Sequence, residues 1–584
     1  MSDNSNLIKL FREKKYLQII NYIEHEINIE DRNSSILNLL ATCRLLKLKP
    51  SKQDYENSLN DFRTSYIKEK NTPRAHEALL NFINLTLIFF HNEKNLNKKF
   101  DPKLFAESIK YFEESNNFFK NNEKLILAII RVFRCIADTK KVISCFLKLI
   151  EKNYVNQSIL SIFIFYKNYL NSLDQKHFLK YSKKLEKILP SFSTEGLVKI
   201  DYTMKGKINL AFLSSDLKSN HSVTYFLKSL LKHYNKKKYN ISIYCNNDET
   251  KKDKTLSSIE ALVDKIIYIK KLNDIDTLNI IRSNKTDIIV DLMGLSSDNR
   301  IALFKNRVAP IQISWCGYCG TTGLENMDFL IADKNLIFEK EKQYYSEKIL
   351  YLDNIWNAHC GYNLEREHHQ LPSIKNSYIT FGSLNNFSKI NENVIDVWST
   401  ILKEIKNSKL ILKGSSGIDP SFILDKFKKN SVLSSIDFIE YDPIPLNHLK
   451  LYNDIDIALD TFPYNGVTTS FEALWMGVPV ITMTGYNFNS RCGESILKNA
   501  DLIELISKDE TDYIKKVVNL SKSTSNLIEI RNKIYKEIIE SPLFDTKKFS
   551  NSFFNSSYSL IFFFIKLIVS LVFAASPSGV TTYK

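Results

Sequence analysis

Short apolar runs and helical runs alternate from Lys205 onward, and the alternation begins again near Ser377. In the first stretch Ile208–Leu213, Ile241–Cys245, Asp287–Asp291 and Ile311–Trp315 read as strands, with a helix starting at Val223. In the second the strands are Tyr378–Gly382, Lys409–Leu412, Ile436–Ile439, Ile455–Leu459 and Val478–Met483. Such alternation demands parallel sheets, because a parallel strand pair needs a crossover between its members. Two sheets in series predict two Rossmann-like domains facing a cleft, over residues 205–370 and 371–557. Ligands of such sheets lie beyond the carboxyl ends of the strands.

Residues 1–200 carry helical periodicity instead and almost no glycine. Leu104, Phe105, Ile109 and Phe112 recur at helix spacing, followed by Phe118-Phe119. Two further helices are expected over Lys124–Ala137 and Lys140–Lys152, parted by the polar break Asp138-Thr139. Helix pairs of this length fit a degenerate tetratricopeptide-like solenoid, although no clean consensus of about 34 residues is present. A globular helical bundle fits the same pattern.

The chain has 584 residues and a net charge of +15, enough length for several domains. Its lysines are scattered and no Arg-rich run occurs, so the charge reads as a solvated surface and no nucleic-acid partner is expected. The start, Met1 to Asn6, lacks the basic-then-apolar pattern of a signal peptide, and eight scattered cysteines form no disulfide framework. A reducing cytoplasm is expected. Cys316-Gly317-Tyr318-Cys319 follows a strand-like run as a redox C-x-x-C does. Tyr318 stands in place of proline, however, and no thioredoxin-sized module surrounds it. Zinc is disfavoured by the lack of a second C-x-x-C or a His pair nearby.

The most informative stretch runs from Asp456 to Arg491. It reads as strand, turn, helix, Gly-Val-Pro break and second strand. Asn465-Gly466 and the hydroxyls of Thr468 and Thr469 come just before the helical run Ser470 to Met476. Free backbone N–H groups, two hydroxyls and a positive helix end at the edge of a sheet suit a phosphate. Glu472, one turn into the helix, can accept hydrogen bonds from ribose hydroxyls. An ordinary β-turn-α unit with polar capping has the same residues.

From about Lys207 to Phe549 the chain resembles the catalytic half of O-GlcNAc transferase and SPINDLY-type glycosyltransferases. Separated blocks in the right order carry the resemblance: SSDLKSNHSVTYF (214–226), DLMGLSSDNR (291–300), RVAPIQISWCGYCGTTGLENMDFLIAD (307–333), YSEKILYL (345–352), FGSLNNFSKI (381–390) and DIALDTFPYNGVTTSFEALWMGVPVITM (456–483). The resemblance implies an α/β GT-B fold behind an all-α helical-repeat region, a nucleotide-sugar donor such as UDP-GlcNAc or GDP-fucose, and a protein acceptor bound by the repeats. It implies inverting transfer of a sugar, GlcNAc-type first, to a Ser/Thr hydroxyl. A non-catalytic scaffold that binds a nucleotide sugar, and a transferase with a non-protein acceptor, are the alternatives.

Under that resemblance Lys389 neutralises the diphosphate, with Thr468 and Thr469 as donors at the helix start, Gly466 in the turn and Asn386 in reach. His448 contacts the nucleoside and Glu472 the ribose. His221, in the turn after the first strand, is the acceptor-side catalytic candidate, and Asp216 either orients that loop or closes an Asx-turn. Gly317, Gly320 and Gly323, with Thr321, form a cleft loop whose glycines let backbone approach a ligand. No metal and no other cofactor is expected; Asp454 and Asp456 bracket the start of a buried strand, ahead of the nucleotide turn, and read as structural.

Three positions depart from the family pattern. Cys319 stands where proline is usual, Val467 where animal O-GlcNAc transferases carry His, and Leu295 where many relatives carry a polar or aromatic residue. These leave the diphosphate site intact and put the sugar in question. The pattern finishes near Ser557. Leu560–Ala575 then runs sixteen apolar-rich residues with Lys566 inside, just under a spanning length of about 17–25. A membrane-contacting tail anchor, a helix packed on the catalytic region and a foreign end all fit residues 558–584.

Overall fold

Both predicted sheets are present, and every strand pairing in them is parallel. The computed structural model describes residues 2–575 except 71, 94–98, 116–119, 171–174, 194, 202–205, 220, 363, 365, 367–368 and 443, with side chains from Asn6 to Leu560 apart from Lys251. Phe118-Phe119 and residues 576–584 of the tail therefore lie outside the described residues.

The first sheet contains β1 (Ile208–Ser214), β2 (Tyr239–Cys245), β3 (Lys265–Tyr268), β4 (Ile288–Asp291), β5 (Ile311–Ser314), β6 (Phe329–Ala332) and β7 (Lys348–Tyr351), in the order β3-β2-β1-β4-β5-β6-β7. The second contains β8 (Thr380–Ser383), β9 (Lys409–Lys413), β10 (Ile436–Ile439), β11 (Ile457–Leu459), β12 (Val480–Met483) and β13 (Ile506–Ser507), in the order β10-β9-β8-β11-β12-β13. Each sheet is Rossmann-ordered, and in each the order reverses beside its first strand. The crevices at these switch points, after β1 and β4 and after β8 and β11, are where such sheets take ligands. Central strands such as β1 and β4 are buried along their length, whereas β3 and β7 are half-exposed edges. Those two, with β6 and the two-residue β13, carry too short a pattern to stand out in sequence.

Three helices position the site or close the fold: α1 (Ser222–Leu231), α2 (Thr468–Trp475) and α3 (Thr546–Ala575). The expected domain division differs at its far end. α3 returns to the first sheet: Ser550 Oγ donates to the Leu230 carbonyl at 3.0 Å, the Tyr239 hydroxyl to the Phe554 carbonyl at 2.7 Å, and Phe553 lies 5.2 Å from the Trp315 ring. Residues 546–557 thus cover the first lobe, because Phe549, Phe553 and Phe554 bury on it. Among the described residues no helix is long and apolar enough to cross a membrane.

The chain divides into two compact units, Met1–Val155 with Gly414–Lys426, and Asn156–Lys413 with Phe427–Lys584. The first unit's helices include Pro73–His91, Lys103–Glu114, Glu123–Cys135 and Thr139–Glu151, and they bury an apolar stripe of Leu79, Phe82, Ile129 and Val142. The polar break at Asp138 is a cap: its carboxylate accepts the Lys141 N–H at 3.0 Å. Helices Gln157–Lys167 and Gln175–Ile188 belong to the second unit, which also holds both sheets. The helical stretch expected to run to residue 200 as one region is therefore divided at 155/156.

Candidate active site

The loop after β1 delivers His221. Ser214 Oγ accepts the Asp216 N–H at 3.0 Å, and Thr224 Oγ1 donates back to the Asp216 and Lys218 carbonyls at 2.8 and 3.0 Å, so the turn is clamped by its own hydroxyls. His221 then occupies the N-cap position of α1 without capping it through its side chain. Its Nε2 lies 3.5 Å from Asp216 Oδ1, and its buried Nδ1 has no hydrogen-bond partner among the described residues. Burial holds the imidazole below its ordinary value, with Asp216 pulling the other way. Among the described residues the Asp216 carboxylate faces His221 and Lys218 and closes no Asx-turn.

The turn after β8 delivers Lys389. The Asn386 side chain accepts the Ser388 N–H at 2.9 Å and so caps the short turn Phe387–Lys389. Lys389 Nζ donates to the Asn465 carbonyl at 2.8 Å and lies 4.5 Å from the centre of the Tyr464 ring. Burial brings this ammonium down to about 8, opposed by Asp460.

Asp460, at the end of β11, shapes the phosphate-type turn. Its Oδ1 accepts the N–H groups of Thr461 and Gly466 at 2.8 and 2.6 Å, and Oδ2 accepts the Thr482 hydroxyl at 2.7 Å. Gly466 is required here by space, since a Cβ would run into Thr469 Oγ1 and sit 3.0 Å from Asp460 Oδ1. Thr468 and Thr469 form the first turn of α2 rather than preceding it, and the N-cap Val467 offers no side-chain acceptor. Thr469 Oγ1 donates to Asn385 Oδ1 at 3.0 Å. Thr468 Oγ1 donates to Ser222 Oγ at 2.5 Å, which joins the first residues of α2 and α1. Two helix N-termini, one from each lobe and neither closed by a side-chain cap, meet at this point. Such ends favour an anion.

One turn into α2, Glu472 Oε2 accepts from His448 Nε2 at 2.8 Å and from the Tyr452 hydroxyl at 3.3 Å. Tyr452 also donates to the Thr469 carbonyl at 3.0 Å, which ties this group to the helix start. His448 Nδ1 lies 2.9 Å from Lys413 Nζ at the end of β9. Sequence reasoning missed Lys413, Asp460, Asn385 and Ser222. The one available signal for Lys413 was a cation closing the apolar run Leu410-Ile411-Leu412 at its carboxyl end.

The cleft loop is placed as expected, but its glycines answer to the protein itself. A side chain at Gly317 would run into the Leu292 carbonyl, one at Gly320 would sit 3.1 Å from the Tyr318 ring, and Gly323, at φ +78°, packs on Ser182. Thr321 Oγ1 is committed to the buried Glu347 at 2.7 Å. Cys316 and Cys319 are free thiols, as are all eight cysteines. Burial pushes the Cys316 thiol well up, away from the thiolate that redox exchange requires. Asp456 accepts the Thr380 and Ser373 N–H groups at 2.8 and 3.0 Å, a structural use. Leu295 is fully buried and Val467 partly so.

The lobes are joined below the site. Arg491 and Glu341 form a buried bidentate pair at 2.6 and 2.8 Å, and Ser495 donates to Asp333 at 2.6 Å.

Two Rossmann-type lobes whose switch points face one another make this a GT-B glycosyltransferase fold. The pattern of glycosyl transferase family 41 matches residues 186–360 and 363–553, and the chain belongs to that family. It is similar to the barley (Hordeum vulgare) protein named probable UDP-N-acetylglucosamine–peptide N-acetylglucosaminyltransferase SPINDLY, at 32% identity over 58% of this chain and 37% of that protein. It is similar to the Arabidopsis thaliana protein of the same type named SEC, at 25% identity over 61% of this chain and 37% of that protein. The chain thus spans well under half the length of these curated relatives. A solved structure of a Thermobaculum terrenum O-GlcNAc transferase mutant shares the fold, with a TM-score of 0.73 and 22% identity over 92% of this chain and 98% of that one.

Proposed function

We propose that this glycosyltransferase moves a GlcNAc-type sugar from a UDP-sugar to a Ser or Thr hydroxyl of a protein, with inversion. The observation that carries this reading is the meeting of the α1 and α2 N-termini through Ser222 and Thr468. Lys389 comes from the neighbouring switch-point loop of the second lobe. As the glycosidic bond breaks, negative charge grows on the departing diphosphate. Fixed donors aimed at developing charge are commonly the largest catalytic contribution. Lys389 and the first N–H groups of α2 are those donors, joined by the Thr468 and Thr469 hydroxyls when they turn from Ser222 and Asn385 to the diphosphate. Glu472 and His448 take the nucleoside end, one turn along the same helix.

His221 is the base in this reading. With the proton on Nε2, 3.5 Å from Asp216 Oδ1, Nδ1 keeps a lone pair to receive the acceptor's hydroxyl proton. It comes from the lobe opposite Lys389, which suits a single displacement with base and leaving group on opposite sides of the sugar. The relatives' names supply the choice of UDP-GlcNAc. The helical region is the proposed acceptor reader. The diphosphate charge is met by Lys389 and helix ends in this scheme, so transfer is expected to proceed with EDTA present.

The test is a panel of UDP- and GDP-sugars, read by thermal shift and by transfer to a Ser/Thr peptide library. UDP-GlcNAc is expected to raise the Tm and to be consumed. If no nucleotide sugar or free nucleotide raises the Tm, the donor site is misread. Donor binding without transfer to any acceptor would favour a non-catalytic scaffold.

A further inference from the structure

Lys413 closes the buried strand β9 and is itself only 6% exposed. A buried ammonium ordinarily pairs with a carboxylate, because desolvating an unpaired charge is costly. Lys413 makes no ion pair among the described residues. Its Nζ donates instead to the Asp442 carbonyl at 3.2 Å and approaches His448 Nδ1 at 2.9 Å, and it lies 5.6 Å from the centre of the Tyr441 ring. Burial lowers its affinity for the proton, with Glu472 and Asp442 opposing. A leucine would fill the end of an apolar strand at less cost, so the cation needs another reason to be there.

The hydrogen bonds supply one. An ammonium has only protons to give, so the imidazole nitrogen facing it accepts. His448 Nδ1 is therefore the bare nitrogen and Nε2 carries the proton, which it gives to Glu472 Oε2 at 2.8 Å. The Tyr452 hydroxyl, shared with the Thr469 carbonyl at 3.0 Å, reaches the same oxygen at 3.3 Å. Both donors converge on Oε2, and Oε1 makes no hydrogen bond among the described residues. The row Lys413, His448, Glu472 thus turns one carboxylate oxygen toward whatever enters beside α2.

We infer that Lys413 is a positioning residue for the nucleoside half of the donor: it fixes the tautomer and angle of His448, which holds Glu472 with one oxygen available to a ribose hydroxyl. This rests on the nucleotide-sugar reading above. Lys413 touches neither the diphosphate donors nor His221, so its effect should be confined to nucleoside recognition.

The experiment is calorimetric titration of the full chain with UDP, GDP and inorganic pyrophosphate. In Lys413→Met, the nucleoside diphosphate that wild type binds is expected to weaken by about tenfold or more, with pyrophosphate affinity held within about twofold. Lys413→Arg, which keeps a cationic donor at the end of β9, is expected to recover most of the loss. An unchanged nucleoside diphosphate affinity in Lys413→Met overturns the inference, as does an equal loss of pyrophosphate or a complete failure of Lys413→Arg to recover binding. Wild-type protein that binds neither UDP nor GDP overturns instead the donor reading beneath it.

Discussion

Thr468 gives its hydroxyl proton to Ser222 at 2.5 Å, across 246 residues of sequence. Each is the first residue of a helix, α2 in the second lobe and α1 in the first, and neither helix has a side-chain cap. A helix end with free N–H groups is unfavourable when it is left without an acceptor. Two such ends placed together make an anion-binding corner to which both lobes contribute.

Thr468→Val keeps the shape of the side chain and removes its donor. Transfer is expected to fall by about 10²–10³-fold in kcat, the usual loss for one donor aimed at transition-state charge. Initial rates with saturating donor measure it. A rate within a few-fold of wild type would mean that Thr468 serves only to join the lobes.

Lys389→Ala removes the one lysine that the β8 turn brings beside Asn465 and Tyr464. Transfer should be almost abolished, by at least the factor expected for Thr468→Val. Donor affinity, followed by the same thermal shift, should fall as well. An alanine variant that turns over normally would remove Lys389 from the mechanism.

The pH profile should be a bell whose limbs have assigned owners. His221 must be neutral to act as base. Its burial holds its titration below the ordinary imidazole value of about 6.5, so the acid limb of kcat/KM should lie below that value. Lys389 must be charged and in the free protein titrates at about 8, so kcat/KM should fall as pH rises through that point. A bound diphosphate stabilises the ammonium, so the alkaline limb of kcat should lie higher than that of kcat/KM. Coincident alkaline limbs would contradict the role given to Lys389.

Arg491→Met leaves Glu341 buried without its partner. Burial raises that carboxyl most strongly, but the hydrogen bonds from Arg491, the Phe338 N–H and Gln175, together with the Arg491 charge, outweigh it and hold the group below its usual range. The single change should destabilise the protein by about 3–5 kcal/mol, and a Glu341→Leu partner change should recover much of that. Thermal unfolding of the two single variants and the double variant checks it. A near-neutral Arg491→Met would show that the pair contributes little to holding the lobes together.

Legibility in the sequence followed how local each feature's cause is. β1, β4, β8 and β11 were visible because each is a short apolar run bounded by polar residues. β3 and β7, at a sheet edge and half-exposed, have no such boundary. Lys389, His448, Thr468 and Thr469 lie in runs whose order is distinctive; the structure puts Lys389 on the turn after β8, Thr468 and Thr469 at the start of α2, and His448 in the short helix Pro445–Lys450 that follows β10. The glycines of the cleft loop were legible as glycines, but their reason was not. Leu292, which excludes a side chain at Gly317, is separated from it by a whole strand and its connection. Residues 546–557 were assigned by position to the second lobe, and they pack on the first because Phe553 and Phe554 find Trp315 and Tyr239 there.

What the sequence determined by itself is the architecture: alternating strands and helices leave little choice but two parallel sheets, and a parallel sheet gathers its loops at one edge. Which side chains then meet was decided by tertiary structure alone. Ser222 against Thr468, Lys413 against His448 and Arg491 against Glu341 are pairings between separate elements. No local periodicity encodes them, because hydrogen bonds and charge pairs act over a few ångströms of space and take no account of distance along the chain.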